Sequence, residues 1–403
     1  MTGAPAERPI SIFMVAVEES GDALGGALAC ALAARLGGML KLSGVGGRAM
    51  AAAGIASLFP IDELAIVGLT AIPSRLPTIL RRIRETADAV VAARPDALVI
   101  IDSPDFTHRV ARRVRRLAPS IPILDYVSPS VWAWRPGRAR AMRSYIDCVL
   151  AILPFEPATH LRLGGPPCVY VGHPLIERTA ELRPDSQEAQ RRRADPPVVL
   201  VLPGSRRSEV RRLLDIFGAA IERIAGGAGA VDVVLPTMPH LLAQVRDGIA
   251  RWTIAPRVIA EPAEKWAAFR TARAALAASG TVTLELALAG VPTVAAYRLP
   301  LIEEMVLRLL SRSGRPHSVI LANLVLGENV VPELLQRDCA PARLADELKP
   351  LLTDSPQRRR QVEAFGRLDA IMSIGSQMPS DKAAGVVLEI AERGRSTAPT
   401  VAT

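Results

Sequence analysis

Ala97-Leu-Val-Ile-Ile-Asp-Ser-Pro-Asp-Phe106 runs from five apolar residues straight into a carboxylate, a serine and a proline. Ala97–Ile101 reads as a strand, Thr107–Leu117 as an amphipathic helix leaving it, and Ile121–Leu124 as the next short buried strand. Working outward, Ser11–Val17 and Cys148–Leu153 are further strands, with helices over Asp22–Leu36 and Arg75–Ala93. Apolar runs of strand length alternating with amphipathic stretches of helix length predict a parallel, doubly wound α/β sheet. The rhythm breaks at Thr179–Pro197, a charged, proline-containing stretch that reads as a linker. It restarts with strands at Val198–Leu202, Val231–Leu235, Ala274–Ala278 and Thr293–Tyr297. Two α/β domains facing a cleft are therefore expected, over residues 1–178 and 198–350. Carboxyl-terminal helices over 351–393 follow, expected either to pack back on the first domain or to be exchanged in a dimer, with a disordered tail at 394–403.

A chain of 403 residues suits two domains better than one core. Its net charge of +9 is almost wholly arginine, because Lys41, Lys265, Lys349 and Lys382 are its only lysines. Between Arg75 and Arg143 fourteen arginines stand against six acidic residues. Such a block predicts an anionic partner, nucleic acid or an acidic membrane surface, unless it is simply a solvated face. Cys30, Cys148, Cys168 and Cys339 are scattered without a C-x-x-C pair, so neither a zinc site nor a disulfide framework is expected. The first ten residues lack the pattern of a signal peptide, and the longest apolar stretch, Ala23–Ala34, is too short to cross a bilayer.

Ligands of open α/β sheets bind just beyond the carboxyl ends of the strands. After the first strand, Glu18-Glu-Ser-Gly-Asp22 offers Glu18, Ser20 and Asp22 to sugar hydroxyls; a plain helix cap explains Ser20 and Asp22 equally well. Pro104 is expected to keep Ser103 extended and so hold Asp102 at its strand end. A carboxylate there can take a proton from an attacking hydroxyl, while Asp105 reads as the N-cap of the next helix. In Leu202-Pro-Gly-Ser-Arg-Arg-Ser-Glu209, the amides near Gly204 and Ser205 and the guanidinium of Arg206 suit a phosphate. Ala278-Ser-Gly-Thr-Val-Thr-Leu-Glu285 repeats the design, so Ser279, Gly280 and Thr281 would share a diphosphate and Glu285 would reach ribose hydroxyls. Trp132 and Trp134, in the loop Tyr126–Arg138, make an apolar, cationic wall suited to an amphipathic ligand, or else pack on the core.

Gly44-Val-Gly-Gly-Arg-Ala49 fits a dinucleotide fingerprint only weakly, because Met39–Ser43 reads as a poor strand. P-loop, nucleophile-elbow, zincin and D-x-D patterns are missing, and the five histidines form no spaced cluster.

Taken in order, these segments resemble the lipid-A-disaccharide synthase family from about Ile12 to Leu348. The matching stretches are Ala16–Asp22, Phe59–Gly68, Ile101–Phe106, Tyr126–Arg135, Leu153–Glu156, Gly172–Pro174, Leu202–Val210 and Ala278–Glu285. Val17 and Glu19 depart from the family's glycine and alanine, and Glu328 replaces an arginine near Asn323, itself a family position expected to touch substrate. The resemblance implies a GT-B glycosyltransferase with two Rossmann-like domains, the first facing acceptor and membrane, the second binding a UDP-sugar. It would join UDP-diacylglucosamine to diacylglucosamine-1-phosphate (lipid X) with inversion, releasing UDP, with neither metal nor cofactor; the strand-end reading of Asp102 as base fits that reaction. Work at the cytoplasmic face of the inner membrane is implied, without nucleic acid, as is a dimer that exchanges carboxyl-terminal segments. A UDP-sugar epimerase of the same architecture is the nearest rival reading, and a nucleic-acid-binding protein a more distant one.

Overall fold

The computed structural model describes residues 8–64, 72–133, 135–299 and 318–397. Trp134, residues 65–68 of the Phe59 segment and residues 398–403 of the expected tail lie outside them. The chain divides into two compact units, one combining Met1–Pro174 with Ile374–Thr403, the other spanning Leu175–Ser373.

In the first unit the described strands are β1 (Ile10–Ala16), β2 (Leu40–Val45), β3 (Ala97–Ile101), β4 (Ile123–Tyr126), β5 (Cys148–Ala151) and β6 (Cys168–Tyr170). They form one parallel sheet in the order β2-β1-β3-β4-β5-β6. Helices α1 (Glu19–Leu36), α2 (Arg48–Ala52), α3 (Ile72–Ala93), α4 (Pro104–Leu117) and α5 (Glu156–Arg162) connect them. One face of the sheet packs Met14, Val99 and Ile101 against Leu28 and Leu32 of α1, while the other packs Leu98 and Ile100 against Ile83 of α3 and Val110 of α4. Residues from far along the chain complete the first face: Ala383, Ala384, Val387 and Ala391 of the helix Pro379–Thr397 are buried there. That helix also runs through residues 394–397, which the sequence had suggested as the start of a disordered tail.

The second unit repeats the plan with β7 (Val198–Leu202), β8 (Asp232–Pro236), β9 (Arg257–Ile259), β10 (Ala274–Ala278), β11 (Thr293–Tyr297) and β12 (Glu333–Leu335), ordered β12-β11-β10-β7-β8-β9. Its helices include α6 (Ser186–Arg193), α7 (Arg207–Ala228), α8 (Pro262–Thr271), α9 (Val282–Leu288) and α10 (Leu321–Leu326). The stretch expected as a loose linker is thus partly helical. Asp185 and Glu188 close a capping box on α6, and Arg192 donates to the carbonyls of Phe269, Arg270, Ala289 and Gly290, clamping the ends of two neighbouring helices.

The eight strands expected from sequence are the inner strands of these two sheets, and the four it missed, β2, β6, β9 and β12, are the edges. Inner strands are covered on both faces and read as continuous apolar runs. Edges are short or half-exposed: β2 carries Lys41 and Ser43, β9 begins at an exposed Arg257, and β12 begins with Glu333. The stretch read as a poor strand, Met39–Ser43, is thus a real one from Leu40 on, with Met39 closing the turn before it.

Candidate active site

Each sheet has one place where the strand order reverses, between β1 and β3 in the first and between β7 and β10 in the second. Loops diverge there to opposite faces of the sheet and leave a crevice at the carboxyl ends of the strands. In the first unit the flanking loops begin at Val17 and Asp102, and in the second at Pro203 and Ser279.

Asp102 follows β3 directly, and its amide donates to the carbonyl of Tyr126, continuing the ladder one residue beyond the strand. Both Asp102 (φ 53°) and Ser103 (φ 46°) adopt the left-handed conformation, so the expectation of an extended Ser103 is corrected. A following proline disfavours the right-handed helical region but leaves this sharper turn open. The Asp102 side chain stabilises the turn by accepting from the Ser103 amide at 2.7 Å, and Thr107 Oγ1 donates to the Asp102 carbonyl at 2.7 Å. Ser103 is the N-cap of α4 and Pro104 its first residue, so Asp105 lies exposed in the first turn instead of capping it.

The Ser20 hydroxyl reaches the other Asp102 oxygen at 3.4 Å, and Glu18, the N-cap residue of α1, adds negative charge nearby. Burial pushes the Asp102 carboxyl above its ordinary range. The Ser103 amide opposes this, Glu18 reinforces it, and Ser20 opposes it more weakly. The result is a half-buried carboxylate of enhanced basicity, with few donors, at a switch point. Asp22 is not part of this group: it is buried and accepts from the amides of Gly47, Ala49 and Met50 at 2.7, 2.8 and 3.1 Å, capping α2. Together with the Gly46 amide, bound to Ser57 Oγ at 3.1 Å, this closes the glycine-rich loop to a dinucleotide.

At the second switch point Gly204 takes φ 118° and α7 starts at Arg207. The amides of Ser205 and Arg206, expected to be open to an anion, donate to Glu209 Oε2 at 3.0 and 3.2 Å, while Arg206 Nη1 donates to Glu209 Oε1 at 3.1 Å. Beyond the end of the adjacent β10, Ser279 is half-buried, and Gly280 and Thr281 are exposed; a side chain at Gly280 would meet nothing within 4 Å, so this backbone stands open. Glu285, expected to be free for ribose, is ion-paired with Lys265 at 2.6 Å. Lys265 in turn lies over the rings of Trp266 and Phe269. Asn323, expected to touch substrate, has its side chain engaged within its own unit. It is buried in α10, donates to Ser318 Oγ and the Val331 carbonyl, and accepts from the amides of Val330 and Val331. All its hydrogen-bonding capacity goes into closing that turn.

Beyond β4, Val127 is also left-handed (φ 79°), a costly state for a β-branched residue, and it opens the aromatic loop. Trp132 is half-buried, edge-on to Phe155 with ring centroids 5.6 Å apart. Its indole N–H lies beside Glu156 without completing a hydrogen bond. Burial pushes Glu156 up to about 8, against the opposing pull of the Leu153 and Ile152 amides and the Trp132 indole. Sequence reasoning missed Glu156, Glu209 and Lys265, although Glu209 stands inside the quoted phosphate motif.

The arginine block is partly neutralised within its own unit. Arg82 pairs with Glu63 and Glu85, Arg113 with Asp88, and Arg115 with Asp147. Arg81 and Arg84 remain exposed on α3, beside exposed Leu76 and Leu80. Among the described residues, no helix is long and apolar enough to cross a membrane.

A family model described as lipid-A-disaccharide synthetase matches residues 12–382. The lipid-A-disaccharide synthase of Bradyrhizobium diazoefficiens is 61% identical over 395 residues, covering 98% of this chain and 100% of that one. Among solved structures, a UDP-GlcNAc 2-epimerase from Neisseria meningitidis bound to UDP-GlcNAc superposes with a TM-score of 0.60 at 12% identity, over 96% of this chain and all of that one. The calicheamicin glycosyltransferase CalG4 gives 0.56 at 16% identity, over 98% and 100%. At such identities the structural likeness speaks for the GT-B fold alone.

Proposed function

The chain belongs to the lipid-A-disaccharide synthase family and is a glycosyltransferase of lipid A biosynthesis; from that premise we propose the reaction its two switch points carry out. The donor is UDP-diacylglucosamine and the acceptor diacylglucosamine-1-phosphate, whose six-hydroxyl attacks the anomeric carbon with inversion. Asp102 takes the hydroxyl proton as the new glycosidic bond forms. The bond from the anomeric carbon to the diphosphate oxygen breaks, and UDP departs with that electron pair. Asp102 of the first unit is read as the base, and Arg206 and the open Ser279–Thr281 backbone of the second as contacts for the diphosphate.

The observation that carries this reading is the Asp102 carboxyl. It stands at a switch point, is half-buried with raised basicity, and is approached by the Ser20 hydroxyl and the Ser103 amide alone among the described side-chain hydrogen bonds. Epimerase chemistry has only the shared fold behind it, since the epimerase likeness is at 12% identity. Incubating the protein with both lipid substrates, then weighing the product and reading its anomeric configuration by NMR, tests the proposal. One disaccharide phosphate with inverted linkage is expected, and an isomerised UDP-sugar would overturn it.

Both substrates carry acyl chains, so the reaction belongs on the anionic cytoplasmic face of the inner membrane. Leu76, Leu80, Arg81 and Arg84 of α3 fit that contact, each basic residue near the surface adding about 1 kcal/mol of attraction. Co-sedimentation with acidic vesicles should fall as salt rises, and fall further for the Arg81→Glu, Arg84→Glu double variant.

A further inference from the structure

We propose that Glu209 is a positioning residue for the leaving diphosphate. Its buried carboxylate folds the Gly204–Arg206 loop into an anion-binding shape and tethers the Arg206 guanidinium beside it. The proposal rests on the reading that UDP binds at this loop.

A glutamate in the third position of a helix commonly accepts from the N-cap amide alone. Glu209 does more. It accepts from the Arg206 amide, from the Ser205 amide before it, and from the Arg206 side chain. The two partners of the ion pair differ sharply in environment, for the Arg206 side chain is 76% exposed and that of Glu209 only 9%. The acid is the fixed member, and the cation is the one presented to solvent.

The loop is wrapped closely round this carboxylate. A Cβ at position 204 would stand 2.5 Å from Glu209 Oε2 and 2.6 Å from its Cβ, and φ there is 118°, so glycine is required both by space and by backbone. Removing Glu209 would therefore release the turn as well as the guanidinium. The carboxylate consumes the two amides that precede the helix and leaves those of Arg207 and Ser208, which have no partner inside α7, for an anion. An opposite role is conceivable on the same contacts: a carboxylate standing in for phosphate, expelled when UDP arrives. The enclosure of Glu209 beneath Gly204 favours the brace, because expulsion would require the turn itself to open.

The two roles give opposite signs. UDP affinity is to be measured by calorimetry for the full chain, for Glu209→Ala, for the milder Glu209→Asp, which draws the charge back by one methylene, and for Arg206→Ala. A brace predicts UDP weakened about tenfold by Glu209→Ala and by a smaller factor in Glu209→Asp, with the donor KM raised by more than kcat is lowered. Equal or tighter UDP binding in the folded glutamate variants overturns the proposal, and Glu209→Asp decides should Glu209→Ala fail to fold. Arg206→Ala keeps the two readings apart. If it weakens UDP while both Glu209 variants bind normally, only the brace is lost. If none of the three changes affects UDP, the nucleotide site itself lies elsewhere.

Discussion

The loop after β3 and the loop after β7 solve the same geometric problem in opposite ways. Both leave an inner strand at a switch point, turn through the left-handed region and enter a helix. In the second unit a glycine takes the left-handed position at no steric cost, and the carboxylate beside it, Glu209, is nearly enclosed with three donors. In the first unit Asp102 and Ser103 take it themselves, Val127 does so at the end of the neighbouring strand, and the Asp102 carboxylate has a short bond to Ser103 and a long one to Ser20. Non-glycine residues held this way cost on the order of 1–3 kcal/mol each and persist where the surroundings impose them. The difference teaches that a saturated carboxylate shapes a loop, whereas an under-satisfied one, held at some conformational expense, is available for chemistry.

That contrast can be broken most decisively at Asp102. Asp102→Asn should lower transfer about 10²–10⁴-fold while leaving UDP affinity unchanged. It should also raise the melting temperature at neutral pH. The folded-state pKa of Asp102 lies above its unfolded value, so the protonated form is the one folding favours, and the stability it contributes is lost as pH rises through the folded pKa. A neutral amide avoids that loss. A variant whose UDP affinity collapses with its turnover would erase the distinction between the two loops.

Next in size is Arg206→Ala, expected to raise the donor KM about 10–100-fold through the loss of a charge-assisted hydrogen bond, with a smaller effect on kcat. Unchanged donor KM and turnover would remove the cradle from the second unit. The pH profile sharpens the first loop further. Transfer should fall as pH drops through the Asp102 pKa, at a midpoint above the ordinary carboxylate range, and Glu18→Gln should move that midpoint down, since the Glu18 charge raises it. An unmoved midpoint would separate Glu18 from the base.

The smallest effect concerns stability away from the chemistry. Glu156 is raised to about 8 from 4.5, so its contribution is fully present below the unfolded value and is lost progressively as pH climbs from there to about 8. Thermal melts across that window should decline in the wild type and decline less in Glu156→Gln. Parallel curves would show that the residue does not titrate as its burial demands.

Much of this was legible in the sequence, and the boundary of legibility is physical. Inner strands announce themselves because both faces are dry, and for the same reason the residues just after them, Asp102, Gly204 and Ser279, could be located. Edge strands such as β6 and β12 span only three residues and carry no comparable run. Within the site, residue types were readable but partnerships were not. Asp22 caps a helix that begins 26 positions later, and Lys265 meets Glu285 across 20 positions, contacts fixed by how helices pack rather than by any local pattern. Asn323 shows the same limit, since nothing local in the sequence discloses that its side chain fastens a turn.

The helix Pro379–Thr397 has a consequence for how the protein comes into being. Its alanines and valine seal a face of the sheet laid down by residues 10–170, with Arg35 reaching back to the Asp381 carbonyl at 2.8 Å. A ribosome must therefore make the whole second unit before the first can be closed. Until then the nascent amino-terminal half carries an open greasy flank, a natural landing place for chaperones and a reason why trimming the last twenty-odd residues should harm the beginning of the chain rather than its end.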